Sequence, residues 1–245
     1  RKRPPFPVSA GYLGLPTVVN NVETFAMAAT LFQPLQSGDF TQLGTTHSKG
    51  SKIISISGDC NRPGIYEYPW GVTIRQILND CGAEHTAFVQ VGGPAGEFLS
   101  EPHFDRTLCY ADVSTGGSFM IFNASRDPLE TIGNFSAFFA HESCGFCTPC
   151  RVGTQLNQQL FNKIRSQGAA PRDLEKLAEL STVMDACSFC GLGKTASHPI
   201  RQGLAQFQNR LIPCSNAWSP DFDIDQALQP SRDLRTPYAK GKSHV

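Results

Sequence analysis

Three closely spaced cysteines constrain this chain more than any other feature of its sequence. Cys144, Cys147 and Cys150 stand in the segment ESCGFCTPCR, residues 142–151, with two residues between each neighbouring pair. Cysteines this close along a chain are poorly placed to form disulfides with one another. Crowded, unpaired thiols indicate a reducing compartment and a metal, so we expect a cytoplasmic protein with a metal site at this loop.

The spacing of the triplet favours an iron–sulfur cluster over zinc. Three thiolates in a C-x2-C-x2-C pattern bind three different irons of one cubane cluster, and the fourth iron takes a distant cysteine. Structural zinc sites, the rival interpretation, usually take their ligands as two separated pairs. The pattern therefore predicts a [4Fe–4S] cluster and a role in electron transfer.

The fourth ligand is expected at one of two cysteines farther along the chain. Cys187 and Cys190 form a second C-x-x-C, 37 and 40 residues beyond Cys150. Spacing alone leaves both open, although the GLG segment after Cys190 would let the backbone fold tightly over a cluster. The remaining cysteines are scattered, and we expect them to be core or surface thiols: Cys60, Cys81, Cys109 and Cys214.

The composition narrows the classes of function. The 245 residues include 21 basic and 21 acidic side chains, a balance that does not suggest nucleic-acid binding. No apolar stretch is long enough to cross a membrane, so we expect no direct membrane insertion. The segment GLGKT, residues 191–195, is not a phosphate loop, because Ser188 stands where that motif requires glycine.

The first part of the chain, residues 1–48, is rich in turn-forming residues and has no strong period. It contains one short predicted helix, residues 25–31, for which Asn20 or Asn21 is a plausible N-cap. We therefore expect an extended lead-in to the next part of the chain.

The rest of the chain has the pattern of an α+β protein in three parts. Residues 49–127 combine a hairpin, one helix and further strands, which predicts a small β-grasp domain. Residues 128–212 contain four helical segments and predict an all-α helical bundle that carries the iron–sulfur cluster. Residues 213–245 are polar and dotted with proline, so we expect an irregular tail.

Four segments, in order along about 190 residues, resemble one family of flavoproteins. The family comprises the NADH- and FMN-binding flavoprotein subunit of respiratory complex I and its relatives. The diaphorase subunits of NAD-reducing [NiFe] hydrogenases and the flavoprotein subunits of NAD-dependent formate dehydrogenases are among those relatives. The segments are PTVVNNVET (16–24), residues 54–78 with the turn NRPG, the cysteine segment 142–151, and CGLG (190–193).

This resemblance implies roles for individual residues. It favours Cys190 over Cys187 as the fourth cluster ligand, and it makes residues 49–127 an SLBB-like β-grasp domain. It also makes Asn20, Asn21 and, more weakly, Thr24 contacts of FMN. Without the resemblance, the two asparagines would be interpreted as helix caps only.

The resemblance further implies a function and partners. FMN exchanges a hydride with NAD(H), and the cluster relays single electrons between the flavin and the clusters of partner iron–sulfur subunits. Residues 145–147 and 191–200 look more like the hydrogenase and formate dehydrogenase branch than complex I, so an NAD-reducing hydrogenase is favoured.

One departure from the family pattern concerns the nucleotide site. In the family, a glycine-rich α/β domain that holds most of the FMN and NADH precedes the segment where this sequence begins. We therefore expect a fragment or one piece of a split subunit, with residues 1–48 as the end of that domain. The remainder of the flavoprotein subunit is then an expected partner.

Overall fold

Strands and helices occupy separate stretches of the chain in the computed structural model, which describes residues 4–32, 37–217 and 229. Within these residues the strands lie between 51 and 123, and five helices follow between 128 and 207. The chain is thus a mixed α and β protein with an open five-stranded sheet. Of the predicted irregular tail, residues 218–228 and 230–245 lie outside the described residues.

The segment before the sheet forms two helices, α1 (Val22–Leu31) and α2 (Ser37–Gln42). Helix α1 begins where it does because the Asn21 side chain accepts a hydrogen bond from the Glu23 backbone N–H at 2.8 Å. Glu23 in turn accepts from the Ile53 N–H at 2.9 Å and pairs with Lys52, both on the first strand. The predicted cap is confirmed, and α1 is fastened to the sheet through one carboxylate.

The sheet has the strand order β2-β1-β5-β3-β4, and β1 runs parallel to the central strand, β5. All other neighbouring strands are antiparallel. The strands are β1 (Ser51–Gly58), β2 (Gly64–Pro69), β3 (Thr86–Val91), β4 (Glu97–Ser100) and β5 (Ser118–Asn123), with helix α3 (Ile74–Asp80) between β2 and β3. Strand β4 was not predicted from the sequence.

The sequence period explains how the sheet buries its first face. Ile54 and Ile56 of β1 are buried and alternate with exposed Ile53 and Ser55, as a strand with one covered face requires. Helix α3 covers that face with residues spaced three and four apart: Ile74, Ile77 and Leu78.

Helices α4 (Pro128–Glu142), α5 (Thr148–Gln167), α6 (Pro171–Cys187), α7 (Gly191–Thr195) and α8 (His198–Phe207) complete the fold. The four long ones match the four predicted helical segments, and the short α7 was not predicted. Proline in the first turn marks the start of all four long helices, where a missing N–H costs no hydrogen bond.

The sheet and the helices share a hydrophobic core. Phe88 of β3 and Phe98 of β4 are buried together with residues from four helices: Ile132, Phe161, Leu177 and Leu204. The predicted domain boundary after residue 127 therefore falls between elements that pack into one common core.

Helix α8 also covers the free edge of the sheet. Its Gln202 side chain accepts from the Phe98 N–H at 3.1 Å, and its Gln206 side chain accepts from the Ser100 N–H at 2.9 Å. The Gln206 amide also donates to the Phe98 carbonyl. Two glutamines thus satisfy backbone groups that an edge strand would otherwise expose.

A buried ion pair locks the start of α6 to α5. Lys163 Nζ donates to Asp173 Oδ2 at 2.6 Å, and to the carbonyls of Gly168 (3.1 Å) and Asn216 (2.6 Å). Both side chains are more than nine-tenths buried.

None of the helices in the described part of the chain combines the length and apolar character needed to cross a membrane.

Replacing Lys163 with methionine should destabilise the protein strongly, because it removes the buried ammonium group that pairs with the Asp173 carboxylate. We expect the free energy of unfolding to fall by about 3–5 kcal/mol, measured by urea denaturation. Arg172→Met, at the exposed position next to Asp173, is the control and should change stability by less than about 0.5 kcal/mol. A loss below about 1 kcal/mol for Lys163→Met would contradict this account.

Candidate metal centre

The three clustered cysteines lie where α4 ends and α5 begins. The loop after Ser143 turns at Gly145, which has φ +73°, a backbone conformation that glycine adopts without strain. Cys147 is the N-cap residue of α5 and Cys150 lies in the first turn of that helix. Cys144 is exposed, Cys147 is partly buried and Cys150 is buried, so the thiols follow one path from the surface into the core.

Two side chains fix the shape of this loop. The Arg151 guanidinium donates from Nη1 to the Gly145 carbonyl at 2.8 Å, which ties the turn to the first turn of α5. Ser143 Oγ lies 3.3 Å from Cys150 Sγ, within hydrogen-bonding distance for sulfur. The positions of Cys147 and Cys150 are therefore set by the start of one long helix, and the loop that carries Cys144 is tied to that helix by Arg151.

The segment between α6 and α7 packs directly against this loop. The backbone N–H of Phe189 donates to the Cys147 sulfur and is the main reason that the pKa of this thiol lies below its ordinary value. The rings of Phe189 and Phe146 are tilted against each other, with centroids 5.7 Å apart. The two loops therefore meet at Cys147.

The fourth candidate ligand, Cys190, reaches the same place. Burial is the main reason that the pKa of the Cys150 thiol is raised, and a hydrogen bond with Ser143 lowers this pKa in part. The nearby thiolates of Cys147, Cys190 and Cys144 raise the pKa further. Each of the other three thiols is thus close enough to Cys150 to act on it electrostatically.

Cys187 and Cys190 differ in how they are placed. Cys187 is the last residue of α6, and Cys190 is the residue immediately before α7. Both are exposed, but Cys190 directly follows the N–H donor Phe189. Three residues further on, Gly193 lies against Cys150.

Gly193 fills a position where no larger residue fits. A Cβ atom built on it would lie 2.6 Å from Ser188 Oγ and 2.9 Å from the Cβ of Cys150. Gly191, two residues earlier, would meet nothing within 4 Å. The close approach of α7 to α5 therefore depends on the second glycine of the GLG segment.

The donor set suits a cluster of several irons better than one ion. No three His, Cys, Asp or Glu side chains in the described ranges are close enough to share a single metal ion. A cubane does not need that convergence, because each thiolate binds a different iron.

The Ser188 hydroxyl is buried beside Cys150 and Gly193 and has no hydrogen-bond partner among the described residues. A buried donor without a partner at a ring of thiols fits a site that takes a further acceptor.

The predicted flavin contacts lie together at the start of α1. Asn20, Asn21 and Thr24 are all exposed. The Asn20 side chain accepts from the Asn21 N–H at 2.7 Å, and Asn21 caps the helix, so each asparagine already has a local structural role. Large apolar side chains around them are also exposed: Val18, Val19, Val22 and Phe25.

Sequence reasoning missed two features of the centre. In the sequence, Phe189 and Ser188 are indistinguishable from spacer residues, yet one donates to Cys147 and the other lies buried beside Cys150. Their one sequence signal is position, since both directly precede the last candidate ligand.

Comparison with known proteins agrees with this geometry. Residues 130–212 match the model of the NADH-ubiquinone oxidoreductase-F iron-sulfur binding region. The chain is 42% identical over 237 residues to the NAD-reducing hydrogenase HoxS subunit alpha of Cupriavidus necator, a match that covers 93% of this chain and 38% of that protein. It is 34% identical over 234 residues to the F subunit of the NADH-quinone oxidoreductase of Mycobacterium bovis, a match that covers 91% of this chain and 52% of that protein.

A solved structure gives the same picture. An NAD+-reducing [NiFe]-hydrogenase in the H2-reduced state matches with a TM-score of 0.80 and 40% sequence identity, over 100% of this chain and 43% of that one. The chain spans between about two fifths and one half of the length of these relatives. The chain is thus a homologue of one part of the F subunits of NADH-quinone oxidoreductases and of the alpha subunit of NAD-reducing hydrogenase.

Proposed function

We propose that this chain is the electron-transfer portion of an NAD(H)-linked flavoprotein oxidoreductase. In this role it relays single electrons between FMN and the iron–sulfur clusters of partner subunits through a [4Fe–4S] cluster. The observation that carries the proposal is the meeting of the two cysteine loops, in which the Phe189 N–H donates to Cys147 directly beside Cys190. The match of residues 130–212 to an iron–sulfur binding region supports it.

The cluster ligands are proposed to be Cys144, Cys147, Cys150 and Cys190. Cys190 is preferred to Cys187 because Cys190 acts on the buried Cys150 thiol and stands between two residues that touch the other ligands, Phe189 and Gly193. When bound, the cluster supplies one-electron transfer, and the chain supplies ligation, burial and hydrogen bonds that set its potential.

The electrostatics of the loop support an anionic centre. Cys147 and Cys150 lie at the N-terminus of α5, a helix of 20 residues whose positive dipole end stabilises nearby negative charge. Arg151 is held at the loop by the Gly145 carbonyl and adds a full positive charge. Both features lower the cost of keeping several thiolates close together.

The choice among family members rests on the hydrogenase relatives. NAD-reducing hydrogenase is favoured by the 42% identity to the protein from Cupriavidus necator. The same role in an NAD-dependent formate dehydrogenase or in complex I is the alternative, and a zinc-stabilised adaptor without catalytic activity is the second alternative. FMN is proposed to contact Asn20, Asn21 and Thr24, and NAD(H) to bind to the remainder of the flavoprotein subunit.

The proposed architecture follows the same assignment. We place the end of the FMN- and NADH-binding domain at residues 1–48, an SLBB-like β-grasp unit at 49–127, the cluster-bearing helices at 128–212 and a tail at 213–245. The strand order, in which β1 runs parallel to the central strand β5, supports the β-grasp assignment. Partner iron–sulfur subunits and a reducing compartment, the cytoplasm, complete the proposal.

Substituting the ligands tests the cluster. Cys144→Ser, Cys147→Ser, Cys150→Ser and Cys190→Ser should each lose most of the bound iron and the visible absorption, because serine is a poor substitute for a thiolate on iron. Cys187→Ser is the matched control and should keep both. Iron and zinc content by mass spectrometry, with EPR after dithionite reduction, gives the readout.

Two results would go against this assignment. A colourless wild-type protein that holds one zinc would overturn the cluster itself. If Cys187→Ser lost its iron while Cys190→Ser kept its iron, the fourth ligand would be Cys187.

A pair of glycine variants tests whether the approach of α7 to α5 shapes the site. Gly193→Ala should reduce iron loading several-fold, because the new methyl group collides with Ser188 and Cys150. Gly191→Ala is the control, since its methyl group meets nothing within 4 Å, and it should load normally. Equal loading of the two variants would show that this contact does not shape the site.

Reduction by NADH tests the link to flavin. In the complete complex with FMN bound, NADH should produce the EPR signal of the reduced cluster, and removal of FMN should abolish it while dithionite still reduces the cluster. A cluster that dithionite reduces and NADH does not, with FMN present, would refute the NAD(H) linkage and leave the cluster assignment intact.

A further inference from the structure

The Ser188 side chain is a buried hydroxyl that has no hydrogen-bond partner among the described residues. It is 4% exposed, and its Oγ atom makes no hydrogen bond to any residue in the described ranges. A buried hydroxyl without a hydrogen bond is destabilising, so such groups are normally satisfied by protein or by something bound to it.

The surroundings of Ser188 are rich in sulfur. Ser188 is the C-cap residue directly after α6, and its backbone N–H donates to the Met184 carbonyl at 3.1 Å, which fixes where its side chain begins. Its Oγ atom and the Cβ atom of Cys150 lie 2.6 Å and 2.9 Å from the point that a Gly193 Cβ would occupy. The next two residues are Phe189, which donates to Cys147, and the proposed ligand Cys190.

We propose that Ser188 is a positioning residue of the centre, whose O–H donates a hydrogen bond to a sulfur of the bound cluster or of its cysteine ligands. The inference rests on the proposed function, because it needs the cluster as acceptor. It goes further by assigning the group that adjusts the reduction potential. Ser188 and the proposed ligand Cys150 both lie against Gly193, and the Ser143 hydroxyl contacts Cys150 from the other loop.

The sign of the effect follows from charge. Reduction adds one electron to an already anionic centre, so a hydrogen-bond donor stabilises the reduced form more than the oxidised form. Ser188 therefore raises the potential, and removing its hydroxyl should make reduction harder.

The test is an EPR-monitored redox titration of the iron-loaded protein, with iron content and visible spectrum measured on the same samples. Ser188→Ala should shift the potential downward by roughly a tenfold change in the reduction equilibrium, about 59 mV for a one-electron couple. Ser188→Thr keeps the hydroxyl and should restore the wild-type potential.

The matched control is Ser181→Ala, which removes another buried serine hydroxyl from the same helix, two turns earlier. It should leave the potential unchanged. The inference would also be supported if Ser188→Ala failed to bind iron while Ser188→Thr bound iron and had the wild-type potential. These two variants differ in whether they keep the hydroxyl.

Three outcomes would overturn the inference. They are an unchanged potential in Ser188→Ala at full iron content, an equal shift in Ser181→Ala, and loss of iron in both Ser188 variants. In all three the wild-type protein still carries its cluster, whereas a wild-type protein without iron would refute the proposed function itself.

Discussion

The contact between helix α8 and the edge strand β4 fastens the helical part of the chain to the sheet. Its two glutamines satisfy backbone groups of strand β4, and Phe88 and Phe98 extend the sheet's second face into the helical core. A five-stranded sheet already packed on α3 is rigid, so helices fastened to it inherit a fixed frame. That frame matters because the candidate ligands come from two loops about 40 residues apart in sequence.

Within that frame, the candidate metal centre lies among helix ends. The loop between α4 and α5 carries three candidate ligands and the link between α6 and α7 carries Cys190, so four helix termini meet at one place. Two of these termini, the starts of α5 and α7, leave backbone N–H groups that their own helices cannot pair. A further backbone N–H, that of Phe189 in the link, donates to Cys147. The candidate thiols therefore lie on the side of the fold where backbone N–H donors are concentrated.

The sequence predicts the fold well where periodicity is strong. The long helices and β1 follow from apolar spacing, because each buries one regular face. β2, β3 and β5 follow from short apolar or aromatic runs beside turn residues, and β3 is buried on both faces. Strand β4 has only four residues, and α7 combines five residues with two glycines, so neither carries a period long enough to detect. Both are stabilised by tertiary contacts, β4 by Gln202 and Gln206 and α7 by its packing on Cys150.

The candidate site was likewise predictable from the sequence only in part. The triplet is visible in sequence because its ligands are local, and the cap at Asn21 is visible because a cap is a local interaction. The spacing left Cys187 and Cys190 open and the resemblance favoured Cys190; the fold adds that Cys190 acts electrostatically on Cys150. The role proposed for Ser188 could not be predicted, because serine is common at helix ends and only burial against a distant segment makes its hydroxyl unusual.

The spacing of two residues between cysteines has a physical basis at a helix start. With Cys147 at the N-cap and Cys150 at the third helical position, both thiols lie at the same end of α5, one at its rim and one inside the first turn. Pro149 between them has no N–H, which removes one of the unpaired donors of that turn without weakening the helix. The same helix therefore buries one thiol, leaves the other accessible, and directs its positive end at both. A centre that must hold negative charge inside a protein and still exchange electrons at its surface needs this combination of a buried and an accessible ligand.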